Sequence, residues 1–448
     1  MLRATSLAPL IALSPGYAHA APQRPALIPA TTARSAFDCY GINTHFSFLS
    51  NSVWVNTDAA VQWLQRLGVG AVRQALPRSP HGREAVKSAM DRLGSAGIRW
   101  CCPVLVSSDA GSLDSARAAV NFQLDWLQAN TDLALLDSLP GLNEPNSEGK
   151  AIPDWVARTR VAAQALWEET RRRPAFDGVL IQGSPLNMKG GPNAVRPDVE
   201  ALGDLTPWID RGDAHLYPGE QDPGLLATER LAVLDPIHGG KPLCVSEGGY
   251  TTSIGRGYTG GAELVPEDVA GLYAPKHLMV HLLAGRKFFS YELLDEAPPY
   301  TDTDTATREA GFGFIATPKL DPLTWRAKPG FEAMRRMLGL VSDGSFTPVG
   351  LRVQMTAAGS TLRSALLHRS DRKHLLAIWQ AVQLYDWDRT KLSGRYIGVN
   401  PLSVTVTLDA ALPVAVYEPS RQDTPVKTFT AQTFTQTLGA GMQVLQIG

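Results

Sequence analysis

No stretch of this 448-residue chain reaches the ~18 consecutive apolar residues of a membrane span. There is no cationic excess either. Lys and Arg number 42 against 43 Asp and Glu, the formal net charge is −1, and no long run of basic residues occurs. A nucleic-acid or anionic-membrane partner would need a basic face, so both classes are excluded. Cysteines are few: Cys39, Cys101, Cys102 and Cys244 show neither C-x-x-C nor a nearby H-x-x-x-H, so no metal signature exists. The chain also lacks G-x-S-x-G, H-E-x-x-H and the P-loop pattern, which removes serine-hydrolase, zinc-protease and phosphate-loop chemistry.

What is present is ordinary globular composition, 44% hydrophobic and 19% charged, long enough for a large domain plus a smaller module. The first twenty residues carry Arg3, an apolar segment from Leu7 to Leu13 broken by Pro9, and the small-residue pattern Ala18-His19-Ala20. That is the layout of an export signal over 1–20, which implies a secreted or periplasmic protein. The four cysteines lie in apolar, strand-like stretches and are expected as buried thiols. Cys101 and Cys102 should face opposite sides of one strand, though an exported chain would permit a bridge from Cys39 to the third strand.

From about residue 36 to 341 short apolar strands alternate with helical stretches. Strands are expected at 37–45, 69–74, 98–108, before Asn143, and at 178–185, 212–219, 241–250 and 286–296. Helices are expected at 57–67, 83–93, around 115–129, 154–172 and roughly 330–340. Eight strands in βα order imply an α/β fold, a (β/α)8 TIM barrel, with a doubly wound open sheet as the alternative. Over 342–448 the pattern changes to short β-branched runs between turn-formers, which predicts a C-terminal antiparallel β-sandwich.

Barrel chemistry sits at the C-terminal ends of the strands. Polar residues there are Asn43 and His45 after strand 1, Arg73 after strand 2, and Asn143 and Glu144 after strand 4. Strand 6 offers His215 and Tyr217, strand 7 Glu247, and strand 8 Tyr291 and Glu292. The segment GLNEPN ends an apolar run with Glu144 between two amides, and CVSEGG mirrors it with Glu247 followed by glycines that leave space above it. Two opposed carboxylates, one protonated and one ionised, are what glycosidic cleavage requires. Arg73 and Tyr217 would keep Glu247 ionised, and Asn143 would orient a sugar hydroxyl.

With Asn-Glu-Pro after strand 4, Ser-Glu-Gly after strand 7, the Arg of AVRQ and the HLY after strand 6, the chain resembles clan A of the retaining glycoside hydrolases. It is most similar to the family 39 branch and its relatives. The resemblance implies Glu144 as acid/base, Glu247 as nucleophile, Asn143 on the 2-hydroxyl of the glycone, and Arg73 and Tyr217 as positioners of the nucleophile. It implies a carbohydrate substrate and no metal or organic cofactor. Tyr291 and Glu292 depart from it, because many clan members place a Trp at the end of strand 8. His215, His45, Asn43, Tyr291 and Glu292 complete the expected substrate contacts, with Trp54, Tyr250, Tyr258 and Tyr300 as further aromatics near the loops.

Two other functions use the same residues. A transglycosylase would replace water by a sugar acceptor, and a carbohydrate-binding barrel would have lost catalysis. The G-x-G-x-x-G match at 255–260 lies well past strand 7 in a glycine-rich loop, without the strand and helix that a dinucleotide fingerprint needs.

Overall fold

The computed structural model describes residues 25–50, 52–148, 154–188, 191–254, 263–296, 308–344 and 346–448. The expected export segment, the glycine-rich match at 255–260, Tyr258 and Tyr300 lie outside the described residues.

Eight parallel strands carry the site: β1 (Tyr40–Asn43), β2 (Ala71–Arg73), β3 (Arg99–Cys101), β4 (Leu136–Pro140), β5 (Leu180–Gln182), β6 (Gly212–His215), β7 (Leu243–Gly248) and β8 (Lys287–Ser290). A two-residue strand, Leu186–Asn187, pairs in parallel with β6 and makes the curled sheet nine-stranded. Neighbours run β5-β4-β3-β2-β1-β8-β7-β6, and the two ends approach at a parallel bridge between Gln182 and Arg211. Helices follow most strands, as the sequence spacing predicts. Thr57–Leu67 buries Ala60, Val61, Leu64 and Leu67, and ends at Gly68 with φ 73, a left-handed cap suited to glycine.

The first expected strand is only half a strand. Ala33–Cys39 is helical, because the Thr32 side chain accepts from the Ser35 amide at its start and Ala33, Ala36 and Cys39 bury one face. The chain turns extended only at Tyr40. The other strands of the curled sheet are also shorter than their apolar runs, because only the residues that pair with a neighbour count and the flanking residues turn into loops.

On the inner face of the curled sheet, Ala71, Cys101, Cys244 and Phe289 form a small apolar cluster, while Cys102 belongs to the outer core under the helices. All four cysteines are buried and free. At the N-terminal ends of the strands, Asp137 is held by Arg211 at 2.9 Å and Lys287 at 3.0 Å. Burial opposes that carboxylate's charge, yet Lys287, Arg211 and Arg99 drive its pKa below the usual range.

The C-terminal strands hydrogen-bond into one separate, largely antiparallel sheet rather than two. The 16-residue strand Leu402–Tyr417 gives its first half to Leu351–Ala357 and its second to Gln443–Ile447, with a register shift between Thr407 and Leu412 on its other edge. Val404, Val406, Val414, Val416, Leu376 and Ile378 fill the core of this sheet. Two short strands before the barrel, Leu27–Ile28 and Thr31–Thr32, join its edges. A hairpin, Tyr385–Asp388 with Ser393–Tyr396, stands beside it. No described helix is long and apolar enough to cross a membrane.

Candidate active site

Asn143 to Asn146 lie where β4 meets the groove. Glu144 adopts φ 36, a left-handed conformation rare outside glycine, and Pro145 opens the short helix Pro145–Glu148 directly after it. Each of the four residues has its own work. Asn143 Oδ1 accepts from Arg73 Nη2 at 2.8 Å. Asn146 clamps the Leu186–Asn187 strand, donating to the Asn187 carbonyl at 3.2 Å and accepting from its amide at 2.9 Å. The strand so held directs Asn187 Nδ2 onto Glu144 Oε2 at 2.7 Å. Glu144 is therefore held through Asn187, with Asn146 behind it, and a strained backbone of this kind persists only where its surroundings enforce it.

Glu247 ends β7 across the groove. Arg73 Nη1 donates to its Oε1 at 2.6 Å, and the Tyr217 hydroxyl donates to its Oε2 at 2.7 Å. Arg73 also donates to Asn43 Oδ1 at 3.0 Å, so one guanidinium ties β1, β2, β4 and β7. His215 stands between the acids: its Nδ1 hydrogen-bonds Glu144 Oε1 at 2.8 Å and lies 3.4 Å from Glu247 Oε2. One oxygen of each carboxylate and a nitrogen of His215 fall within 4.8 Å of one another.

The electrostatics follow from burial. His215 is buried, which alone would lower its pKa, but Glu247 and Glu144 outweigh that and raise it. Burial, and after it Glu247, pushes the Tyr217 hydroxyl well above its ordinary value, so it stays a proton donor to the carboxylate. Burial disfavours the charge on Arg73, but the groups around it, Glu247 foremost, together raise its pKa.

The glycines after Glu247 have a further purpose beyond the one expected. A Cβ on Gly248 would stand 2.5 Å from the Leu216 carbonyl, and one on Gly249 2.2 Å from the Tyr291 carbonyl. They permit three strand ends to close on one another, and Gly249 also lines the groove beside the carboxylate.

The strand-end residues meet in one groove of about 860 Å³, lined by Asn43, His45, Arg73, Asn143, Glu144, His215, Tyr217, Glu247 and Tyr291 among others. Glu292 is the exception: it is 0% exposed and stands behind His45, 3.2 Å from its Nδ1, so a glycone contact is ruled out. Asn43 turns its amide to the Ser246 and Ser290 carbonyls and acts as a brace for Arg73. Trp54 is wholly buried and donates to Glu296, while Tyr250 packs on Tyr273. Aromatics lining the groove instead include Tyr217, Tyr291, Phe312 and the half-exposed Phe48, which stacks on His45.

His45 is gripped by Glu296 at 2.5 Å and Glu292 at 3.2 Å. Desolvation would lower its pKa, and the two carboxylates together raise it to about 10. The sequence reading missed Asn187, although it ends the two-residue strand just after β5 as the other site residues end theirs. It also missed Glu296, whose only sequence signal is a carboxylate in the final strand-end loop.

Two triads could in principle hold a cation, Glu144-His215-Glu247 and His45-Glu292-Glu296, each with ligand atoms within 4.8 Å. In the first, the Arg73 guanidinium against Glu247 already supplies the positive charge. In the second, the proton on His45 does so.

The sequence matches no family model and no curated protein. Similar solved structures include a family 51 α-L-arabinofuranosidase from Bifidobacterium longum, at TM-score 0.56, 11% identity, covering 95% of this chain and 98% of that one. An endo-β1,6-glucanase follows at TM-score 0.52 and 11% identity, covering 94% and 92%. The glycoside hydrolase family 30 subfamily 8 xylanase of Clostridium acetobutylicum has TM-score 0.51 and 10% identity, covering 95% and 97%. At these identities the likeness is one of fold.

Proposed function

We propose that this chain is an exported retaining glycoside hydrolase of clan A, close to the family 39 branch, with a closed (β/α)8 barrel and a C-terminal sheet folded as a sandwich about its long strand. The observation that carries the reading is the carboxylate pair. Oxygens of Glu144 and Glu247 stand within 4.8 Å of each other, which supports a pair close enough for the ~5–5.5 Å carboxyl separation of retaining enzymes.

Glu247, ionised between Arg73 and Tyr217, attacks the anomeric carbon. The glycosidic C–O bond breaks as Glu144 gives its proton to the departing oxygen, leaving a glycosyl ester on Glu247. Glu144, now a carboxylate, takes a proton from water, whose oxygen displaces Glu247 and frees the sugar. Asn143 has its carbonyl on Arg73, which turns its amide hydrogens to the groove as donors to a sugar hydroxyl. His215 and Asn187 hold Glu144 at its two oxygens and so fix how it faces the groove.

The test is Glu247→Ala on aryl glycosides and a polysaccharide panel. Turnover falls by at least about 10³-fold, and azide restores it as a glycosyl azide of inverted configuration. A fully active Glu247→Ala protein would end the assignment.

A further inference from the structure

A second charged group borders the groove, apart from the carboxylate pair. Arg230, on the helix Pro223–Ala232 after β6, lines the cavity and donates from Nη1 to the Tyr217 carbonyl at 3.3 Å. Among the described residues no carboxylate stands in ion-pair contact with it. Glu263 lies nearby over Gly219, whose φ of +70 is a backbone conformation that favours glycine. On the other side Arg389 pairs with Glu263 and lines the same cavity, with its side chain 53% exposed. Arg389 thus has Glu263 as its partner, whereas Arg230 is left at the groove without a carboxylate of its own. Burial disfavours the charge on Arg230 and Glu263 offsets it only in part, so an incoming anion is welcome there.

Arg389 does not come from the barrel. It sits in the turn of the hairpin beside the C-terminal sheet, and that hairpin is fixed in place. The Trp387 amide donates to Glu220 Oε2 at 3.3 Å, and Tyr396 donates to Asp268 at 3.0 Å. Tyr385 and Trp387 pack with Tyr250, Leu264 and Tyr273 from the barrel. A surface loop holding an idle arginine needs no such anchoring.

We propose that Arg230 and Arg389 form an anion-binding subsite of the groove, walled by the hairpin of the second sheet, and that the sugar chain taken there carries a carboxylate or sulfate substituent. The inference rests on the carbohydrate reading above and deepens it by naming the class of sugar. Guanidinium against carboxylate or sulfate is a charge-assisted, bidentate fit, whereas a neutral hydroxyl would leave Arg230 without a charge partner.

Binding by calorimetry, in the Glu247→Ala protein, tests it without need of turnover. The probes are oligouronates, the same oligouronates after reduction of their carboxyls to alcohols, and a sulfated oligosaccharide beside its desulfated form. One acidic member binds about tenfold tighter than its neutral counterpart, the difference shrinks with salt, and Arg389→Ala and Arg230→Gln each erase it. The pair that shows the preference identifies the anion. Equal affinity within both pairs, binding of neither acidic sugar, or a preference that survives both arginine substitutions overturns the subsite and leaves the hydrolase reading untouched. An acidic-sugar preference in a wild-type protein that cleaves nothing supports the subsite and sinks the hydrolase instead.

Discussion

At the scale of single residues the site is held by hydrogen bonds to charges, the strong kind. Tyr217 gives Glu247 one of its two fixed donors, at 2.7 Å. Tyr217→Phe removes that donor at constant shape, and a hydrogen bond to a charged group contributes about 1.5–3 kcal/mol, so kcat falls about 10- to 100-fold with melting temperature nearly unchanged. An equal loss of stability would show the hydroxyl to be structural. His45 gives a pH signature. Its folded pKa of about 10 exceeds the usual 6.5, so its pairing with Glu296 and Glu292 contributes fully below pH 6.5 and is lost as pH rises through about 10. Thermal unfolding followed from pH 6 to 10 should show stability falling over that window, by on the order of a few kcal/mol, and His45→Gln should flatten the fall. An unchanged slope would remove His45 as its source. Both residues were legible in the sequence as polar groups at strand ends. Glu292 was misplaced because the chain leaves the strand at Ser290, and beyond it Tyr291 lines the groove while Glu292 lies buried behind His45.

At the scale of elements, the spacing of apolar positions carried most of the information, and caps carried the rest. Helices such as Thr57–Leu67 and Trp155–Arg171 stand where periodicity puts them, since one buried stripe every 3.6 residues leaves few alternatives. The helix Ala33–Cys39 was hidden because its FDC ending reads equally well as strand, and only the Thr32 cap separates the two. The glycines of Ser246-Glu247-Gly248-Gly249 carry a cross-strand constraint that no local pattern reveals. Gly249→Ala drives a Cβ into the Tyr291 carbonyl and should cost about 1–3 kcal/mol while displacing Tyr291, seen as a lower melting temperature together with a lower kcat. Gly339→Ala, in the helix Pro329–Val341 with nothing within 4 Å of the added carbon, should instead gain about 0.5–1 kcal/mol. If both substitutions behave alike, close strand-end packing is not what Gly249 provides.

Over the whole molecule, the break in pattern near residue 342 announced a second module, but nothing in the sequence announced how tightly it is joined. The joint is made of residues more than a hundred positions apart, which single-sequence periodicity cannot relate. Lys276, 0% exposed within the helix Glu267–Leu283, donates to Asp222 at 3.1 Å and to the Gln380 carbonyl at 2.9 Å. Tyr273, on the same helix, accepts from the Leu384 amide at 2.7 Å. The consequence is a cooperative unit: a sheet held by a buried charge does not come away without exposing that charge's partner. Burial alone would make each ion reluctant to ionise, so the pair stands only while both members are present. Lys276→Met leaves Asp222 buried without its cation and should cost about 3–5 kcal/mol. Lys276→Met with Asp222→Asn removes the lone charge and should recover a substantial part, because Asn keeps the acceptor that caps the Pro223–Ala232 helix at Gly224. Calorimetry should show one transition for barrel and sheet in the wild type, moving down in the single variant and partway back in the double. A wild type that melts in two well-separated steps would mean that the sheet is a passenger, and then the hairpin could not hold Arg389 against the groove with the fixity that a binding wall requires.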